Sequence, residues 1–351
     1  MRVVIVGDTH FGIRSGSSMF AKFQIKFFNE LLFPYMEEHG ISTIIQTGDL
    51  FDHRTQLHLK SHHLIKPGIF DVMRQRNFVM HTLVGNHDIT LRESLRYNTI
   101  SLLLQEYIQD GTVIAYDHPT PVKFGSTTID MLPWICTENQ AEVDEFLNRK
   151  NIGDVLIGHL EIAGAMMQRG IPGHGGIDVS KFDRYSSVLS GHYHTRSFLD
   201  GNRINYVGTP YELNWGDSGD QRGFTVLDTE TLQYTYIPNP DFMFIKLRYK
   251  DGCYTNPKSV TGKYVKLIVE SKKNLLDFDN FLNSLKLADP YDLQIIEPQE
   301  DLSGGEIDSS IELQDTSTII SQYIDGMNIS VDKTAVKAYV TSLYLEAINT
   351  Q

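Results

Sequence analysis

Five short motifs gather most of the residues able to do chemistry: Gly7-Asp8-Thr9-His10, Gly48-Asp49-Leu50-Phe51-Asp52-His53, Gly85-Asn86-His87-Asp88, Gly158-His159 and Gly191-His192-Tyr193-His194. Together they offer carboxylates, imidazoles and one amide oxygen, a hard-to-borderline donor set suited to Mn, Fe or Zn. Two metals about 3.5–4 Å apart need a shared ligand, and a single bridging carboxylate provides it. In Asp-x-His and His-x-His the two side chains lie on one face of an extended segment, so they converge. The set has the makeup of two metal sites in one cleft. A lone Gly-Asp is a turn and a lone Gly-His carries no signal. Five such motifs, each after an apolar strand, do carry one. The glycine ahead of each polar group is expected to let the backbone turn sharply off its strand.

Donors arranged this way require strands that end together. Val3–Val6, Thr43–Gln46, Phe78–Val84 and Asp154–Ile157 read as buried strands, β-rich and bounded by Gly or Asp. Residues around 19–38, 56–76, 91–108 and 138–149 read as helices from their 3.6-residue apolar spacing. The alternation predicts an α/β sheet whose motifs fall at the C-terminal strand ends, where such sheets bind ligands. After about residue 185, short strands with Gly-containing turns point to an antiparallel half of a sandwich. Pro238-Asn239-Pro240 is expected to be a hinge, followed by a small α+β unit to about residue 297. Glu297–Asp315 holds seven acids and no Lys or Arg, a flexible acidic linker. Val336, Val340, Leu343 and Ala347 then predict a terminal amphipathic helix.

The 351 residues carry a net charge of -13, which argues against gripping nucleic acid by bulk electrostatics. The charge is uneven: Lys246–Lys273 has eight Lys or Arg against Asp251 and Glu270. Lys246, Arg248 and Lys250 alternate with Leu247 and Tyr249, giving a strand with one basic face. That face is either a solvated edge guarded against aggregation or a phosphate-contacting surface. The run Met1–Val6 meets Asp8 too early for a signal peptide, and no apolar stretch is long enough to cross a bilayer. Two distant cysteines, Cys136 and Cys253, fit a reducing cytosol. His39, His58, His62, His63, His81 and His118 lack motif company and are expected on the surface or in the core. His174 sits in a Gly-rich loop that could border the cleft, and Ser15-Gly16-Ser17-Ser18 lacks the Lys of a phosphate-binding loop.

In their order, the five motifs resemble the calcineurin-like metallophosphoesterases, and within them the SbcD/Mre-type nuclease subunits of recombination and break-repair complexes, particularly the compact phage type. Gly48–His53 and the segment Asn205–Leu213 favour that branch. The resemblance covers roughly the first 230 residues well and the rest only in layout. It implies a β-sandwich flanked by helices, with a nuclease domain over 1–238, a small α+β capping domain over 241–297 that contacts DNA, an acidic linker over 298–315 and a helical tail over 316–351. It implies that Asp8, His10 and His194 bind one divalent metal and Asn86, His159 and His192 the other, with Asp49 bridging and manganese the metal. His87 would be the catalytic histidine, Asp88 would orient it through its ring N–H, and His53 would position substrate. A hydroxide on the metals would then attack phosphorus in line. Lys246, Arg248 and Lys250 would contact DNA. The tail would bind an SbcC/Rad-type ABC ATPase, and the helices near 56–76 and 91–108 would form a homodimer. The ligands alone leave open a phosphatase acting on other phosphoesters; a non-catalytic scaffold would be expected to have lost some of them.

Overall fold

The apolar runs of the first half become the centre of a sheet. Arg2–Val6 (β1), Thr43–Gln46 (β2), Val79–Leu83 (β3) and Val113–Tyr116 (β4) lie side by side in parallel. Gly223–Asp228 (β13) adds to β1 antiparallel, and Gln233–Pro238 (β14) forms the edge. This computed structural model describes residues 1–90, 93–168, 171–173, 175–251, 253–254, 260–297, 324 and 332–349. It divides into two compact units, Met1–Phe244 and Ile245–Gln351. The Gly-rich-loop histidine at 174 and the acidic linker at 298–315 lie outside the described residues, as does most of 316–331.

Met166–Gln168 (β8) and Ile171–Pro172 (β9) pair as a short separate ribbon, and a second six-stranded sheet packs on the first. Its order is Ser197–Leu199 (β11), Ile204–Tyr206 (β12), Ser187–Gly191 (β10), Val155–His159 (β7), Thr127–Leu132 (β6) and Thr120–Phe124 (β5). The four central strands are parallel and only the two edges are antiparallel. The antiparallel pairing expected after about residue 185 holds at β11, β13 and β14 but not at β10, which runs parallel to both of its neighbours. β7 and β10 are buried along their whole length, as strands covered on both faces must be. One face meets the first sheet, with Val3, Ile5, Ile45 and Leu83 against Ile129, Met131, Val155, Ile157 and Leu189. The other face is covered by the helix Gln140–Asn148 through Val143 and Leu147.

Two helical hairpin partners flank the first sheet. Ser18–Lys26, Phe27–Leu32 and Phe33–Glu38 run as one helix, and Leu59–Ile65, Lys66–Phe70 and Asp71–Gln75 as another. Both contain a π-helical segment beside a proline, Pro34 or Pro67, which has no N–H for the regular ladder. The helix expected over 91–108 instead begins at Thr99. Asn98 caps it by accepting the Ser101 N–H (2.8 Å), and after a break at Leu104 it resumes as Gln105–Gln109. Asn239, between the two prolines, is buried and tied to Arg222 and Pro210.

The second unit is a four-stranded sheet in the order Cys253–Tyr254 (β16), Phe244–Lys250 (β15), Tyr264–Ser271 (β17) and Asp292–Ile296 (β18). The helix Leu275–Leu287 packs Phe278, Phe281 and Leu285 on Leu247, Tyr249, Leu267 and Val269. Lys246, Arg248 and Lys250 are exposed while Leu247 and Tyr249 are buried, as strand alternation requires. Arg248 pairs with Glu270 at 2.8 Å. Lys333–Asn349 is a single helix. No helix among the described residues is long and apolar enough to cross a membrane.

Candidate metal centre

All five motifs meet at the C-terminal ends of parallel strands from both sheets. Asp8 and His10 follow β1, Asp49 follows β2, Asn86 and His87 follow β3, His159 ends β7, and His192 and His194 follow β10. The side chains gather in three overlapping groups, Asp8 with His10 and His194, His10 with Asp52 and His87, and Asp49 with His159 and His192, each with donor atoms within 4.8 Å of one another. Asp49 Oδ2 lies 3.3 Å from His159 Nε2 and 3.9 Å from His10 Nε2, so one carboxylate oxygen faces both rings.

Several of the polar atoms here face each other as lone pairs when the rings are neutral. His159 donates Nδ1–H to the Thr47 carbonyl (2.9 Å), which leaves an Nε2 lone pair 2.9 Å from Asn86 Oδ1. Asn86 Oδ1 is also 2.9 Å from His192 Nδ1. His10 Nδ1 sits 3.1 Å from Asp52 Oδ1, and its Nε2 is 3.1 Å from His194 Nε2. Asp8 Oδ2 accepts the His192 N–H (2.9 Å), while its buried Oδ1 has no hydrogen-bond partner. Lone pairs at these separations need a positive charge between them, supplied by protons or by metal ions. The donor set fits a pair of divalent cations, and the imidazoles of His10 and His159 are backed by the Asp52 carboxylate and the Thr47 carbonyl, groups of the kind that orient metal ligands.

Electrostatics follow from that crowding. Burial alone would lower His10 and His159. Asp52, Asp49 and Asp8 around the first, and Asp49, Asp8 and the Thr47 carbonyl around the second, instead lift both to about 9. Burial raises Asp8 to about 6. Burial also works to raise Asp49, but His159, His87 and His10 hold it well below the usual carboxylate range. Burial lowers His192 to about 3, and burial with the His10 charge lowers His194. These two rings are neutral and ready to ligate.

The local backbone is built for this convergence. His10, Asp49 and His192 all have positive φ (47°, 53° and 85°), conformations that cost energy for non-glycine residues and cluster at functional sites. The glycines do a different job from the one expected. Of those preceding the ligands, only Gly48 has positive φ (101°). Gly85 and Gly191 are needed for space, since a Cβ there would collide with Asp49 and with Asp8 and Thr47, respectively.

Asp88 departs from its expected role. It does not touch the His87 ring; its oxygens accept the N–H groups of Gly85 (2.9 Å), Leu50 (3.2 Å) and Phe51 (2.9 Å), stitching the loops after β2 and β3 together. The His87 ring instead donates Nδ1–H to the Asp52 carbonyl (2.8 Å), and its backbone N–H goes to Asp49 Oδ1 (2.7 Å). His53 Nε2 lies 3.3 Å from Asp52 Oδ2. Asp52 thus meets His10, His53 and His87, a hub that sequence reasoning quoted within a motif without giving it a role. Gln46 was missed too: its amide links Gly48, Thr82 and Gly7 across three strand ends. So was buried Arg222, which donates to the His194 carbonyl and to Thr209 and pairs with Asp217 (2.8 Å). Tyr211 and Gln24 clamp the Thr9 carbonyl (2.7 and 2.8 Å). His58, expected to be a bystander, packs its ring 4.6 Å from that of His53. His81 bonds Tyr116 in the core, and His118 meets Glu142 at the surface.

The calcineurin-like phosphoesterase family profile matches residues 1–207. Over 350 residues the chain is 30% identical to exonuclease subunit 1 of Enterobacteria phage T4, covering 99% of each protein.

Proposed function

The chain belongs to the calcineurin-like phosphoesterase family, and on that premise we propose that it is the nuclease subunit of a DNA recombination and repair complex, cutting phosphodiester bonds with a pair of manganese ions. The metal centre by itself serves any phosphoester. The observation that carries the DNA reading is the full-length similarity to an exonuclease subunit. Asp8, His10 and His194 would hold one ion and Asn86, His159 and His192 the other, with Asp49 between them. The pair supplies charge neutralisation at the phosphate and an acidified water when bound.

The remaining residues prepare the substrate. His87 is pinned by its Nδ1–H and by its backbone N–H, so its Nε2 is the free end offered to the phosphate or the leaving oxygen. Burial lowers its pKa, with the Asp49 charge acting against that. An incoming phosphodiester adds negative charge that favours a proton on Nε2. His53 positions the substrate beside it, and Asp88 holds the two loops that carry Asp49 and His87. Residues 1–238 form the nuclease domain and 241–297 a cap whose Lys246, Arg248 and Lys250 contact DNA phosphates. The chain 298–351 is a linker and tail that dock on an SbcC/Rad-type ABC ATPase, in keeping with a relative that is one subunit of an exonuclease. The helices Leu59–Gln75 and Thr99–Gln109 pair two copies as a homodimer in the cytoplasm.

The test is cleavage of end-labelled linear DNA with manganese, beside para-nitrophenyl phosphodiester and monoester. Metal-dependent nucleotide release that disappears in His87→Ser, with metal content retained, supports the reading. Monoester turnover with intact DNA would place the chain among phosphatases acting on other phosphoesters.

A further inference from the structure

Arg196 stands two residues beyond His194 of the metal centre, where the edges of the two sheets meet. Its guanidinium carbon lies 4.6 Å from the ring centre of Phe198 on β11 and 4.3 Å from that of Tyr236 on β14. Arg74, Arg76, Arg149, Arg203 and Arg222 each pair with a carboxylate. The Arg196 side chain, by contrast, makes no ion pair or hydrogen bond among the described residues. It is exposed, beside a Phe198 that is 45% exposed. The rings strip it of part of its water: burial lowers its pKa, with Tyr236 acting against that. Stacking occupies the faces of a guanidinium and leaves its fork of N–H donors for an anion such as phosphate.

The backbone beneath this cation is fixed. The His194 carbonyl accepts the Thr209 N–H (3.1 Å) and a donor from Arg222. Gly208 passes so close that a Cβ there would lie within 3.2 Å of backbone atoms of His194 and Arg196. Two residues of chain span about 7 Å at most, so Arg196 is held beside the metal centre but outside its ligand set. The surface is separate from the one assigned to pairing of copies. β11 and β14 are edge strands, whereas the helix Gln105–Gln109 packs on β4, at the opposite edge of the first sheet from β14.

We propose that Arg196 is a phosphate anchor, taking one non-scissile phosphate of the strand whose neighbouring linkage lies on the metals. The inference rests on the nuclease reading and adds a binding residue to it. A chain with a net charge of -13 does not hold DNA by a diffuse field, so it needs cations set singly at fixed points. An arginine held flat by two rings gives up little side-chain freedom on binding. A phosphate also restores the hydrogen bonds that the rings deny it.

The experiment uses the full-length protein with manganese and single-stranded oligonucleotides of one sequence. Each carries one uncharged methylphosphonate linkage at a successive position around a fixed cut. Bis(para-nitrophenyl) phosphate, which has no second phosphate, reports the metal centre alone. In the wild-type protein, neutralising the anchored phosphate is expected to lower kcat/KM about tenfold at one non-scissile position, through KM, the scale of one hydrogen-bonded charge contact. Arg196→Gln is expected to lower the ratio of oligonucleotide to small-diester kcat/KM by a similar factor and to erase the sensitivity at that position. It should also flatten the dependence of log KM on log salt by about 0.7, the share of one single-strand phosphate. Arg196→Lys, which keeps the charge without the fork, is expected to recover part of each effect. A flat wild-type profile across the non-scissile linkages would overturn the proposal and leave the nuclease reading standing. So would an Arg196→Gln protein with a lower thermal midpoint but an unchanged ratio and profile, which would make Arg196 a staple between the two sheet edges. Failure of the wild-type protein to cut any DNA, with the small diester still hydrolysed, would instead defeat the nuclease reading and the proposal together.

Discussion

Loading the centre with metal should expel protons, and the number follows from the charges packed there. Asp8, Asp49 and Asp52 are buried here; all three raise His10, and Asp49 and Asp8 raise His159, so that both rings are held at about 9. Without cations, protons on these rings neutralise the carboxylates. At pH 7 a group with a pKa near 9 is about 99% protonated, so binding two divalent ions should release about two protons. His192 and His194 are already neutral and Asp8, at about 6, is mostly ionised, so they add little. From pH 7 to 8 metal binding should therefore tighten about a hundredfold, tenfold for each proton displaced, with a smaller gain as pH nears 9. The linkage to folding has the opposite sign in the metal-free protein. Both pKa values are raised above the ordinary 6.5, so their stabilisation is complete below pH 6.5 and fades as pH rises through 9. Titration calorimetry with manganese at pH 7, repeated in buffers of different ionisation enthalpy, counts the protons. Release of fewer than about half a proton would refute the electrostatic account, because neutral rings would then already face the carboxylates.

Gly191→Ala places a methyl group against Asp8 and Thr47. Metal content by mass spectrometry should fall below two ions per chain, with a stability loss of about 1–3 kcal/mol from overpacking. His81 is held at about 4 by burial. Its stabilising effect is present above pH 6.5 and lost as pH falls toward 4, so the difference in urea-unfolding stability between wild type and His81→Phe should change across that window by about 3 kcal/mol in all. Arg222→Leu strands the Asp217 carboxylate and frees the His194 carbonyl. It should cost about 3–5 kcal/mol, visible as a lower thermal midpoint.

The sequence by itself determined which residues meet and at which ends of which strands. Asp8, Asp49, Asn86, His159 and His192 each follow an apolar run, and local pattern is enough to place a donor at a strand end. The same local logic read the exposed and buried alternation of Lys246–Lys250, because side-chain direction in a strand depends only on the residue's parity. Pairing direction in the second sheet was decided by tertiary structure. β10 and β12 are short, and nothing within them distinguishes a parallel from an antiparallel neighbour. The roles of Asp52, Gln46 and Arg222 were also set at that level, since Asp52 reaches His10 and His87, Gln46 reaches Thr82 and Arg222 reaches His194, partners far away in the chain. The glycines show the division most clearly. Their positions are visible in the chain, but the reason for Gly85 and Gly191 is the approach of a carboxylate from another strand. Identity and order of the ligands are local facts; the space between them and the charge they share exist only once the two sheets close.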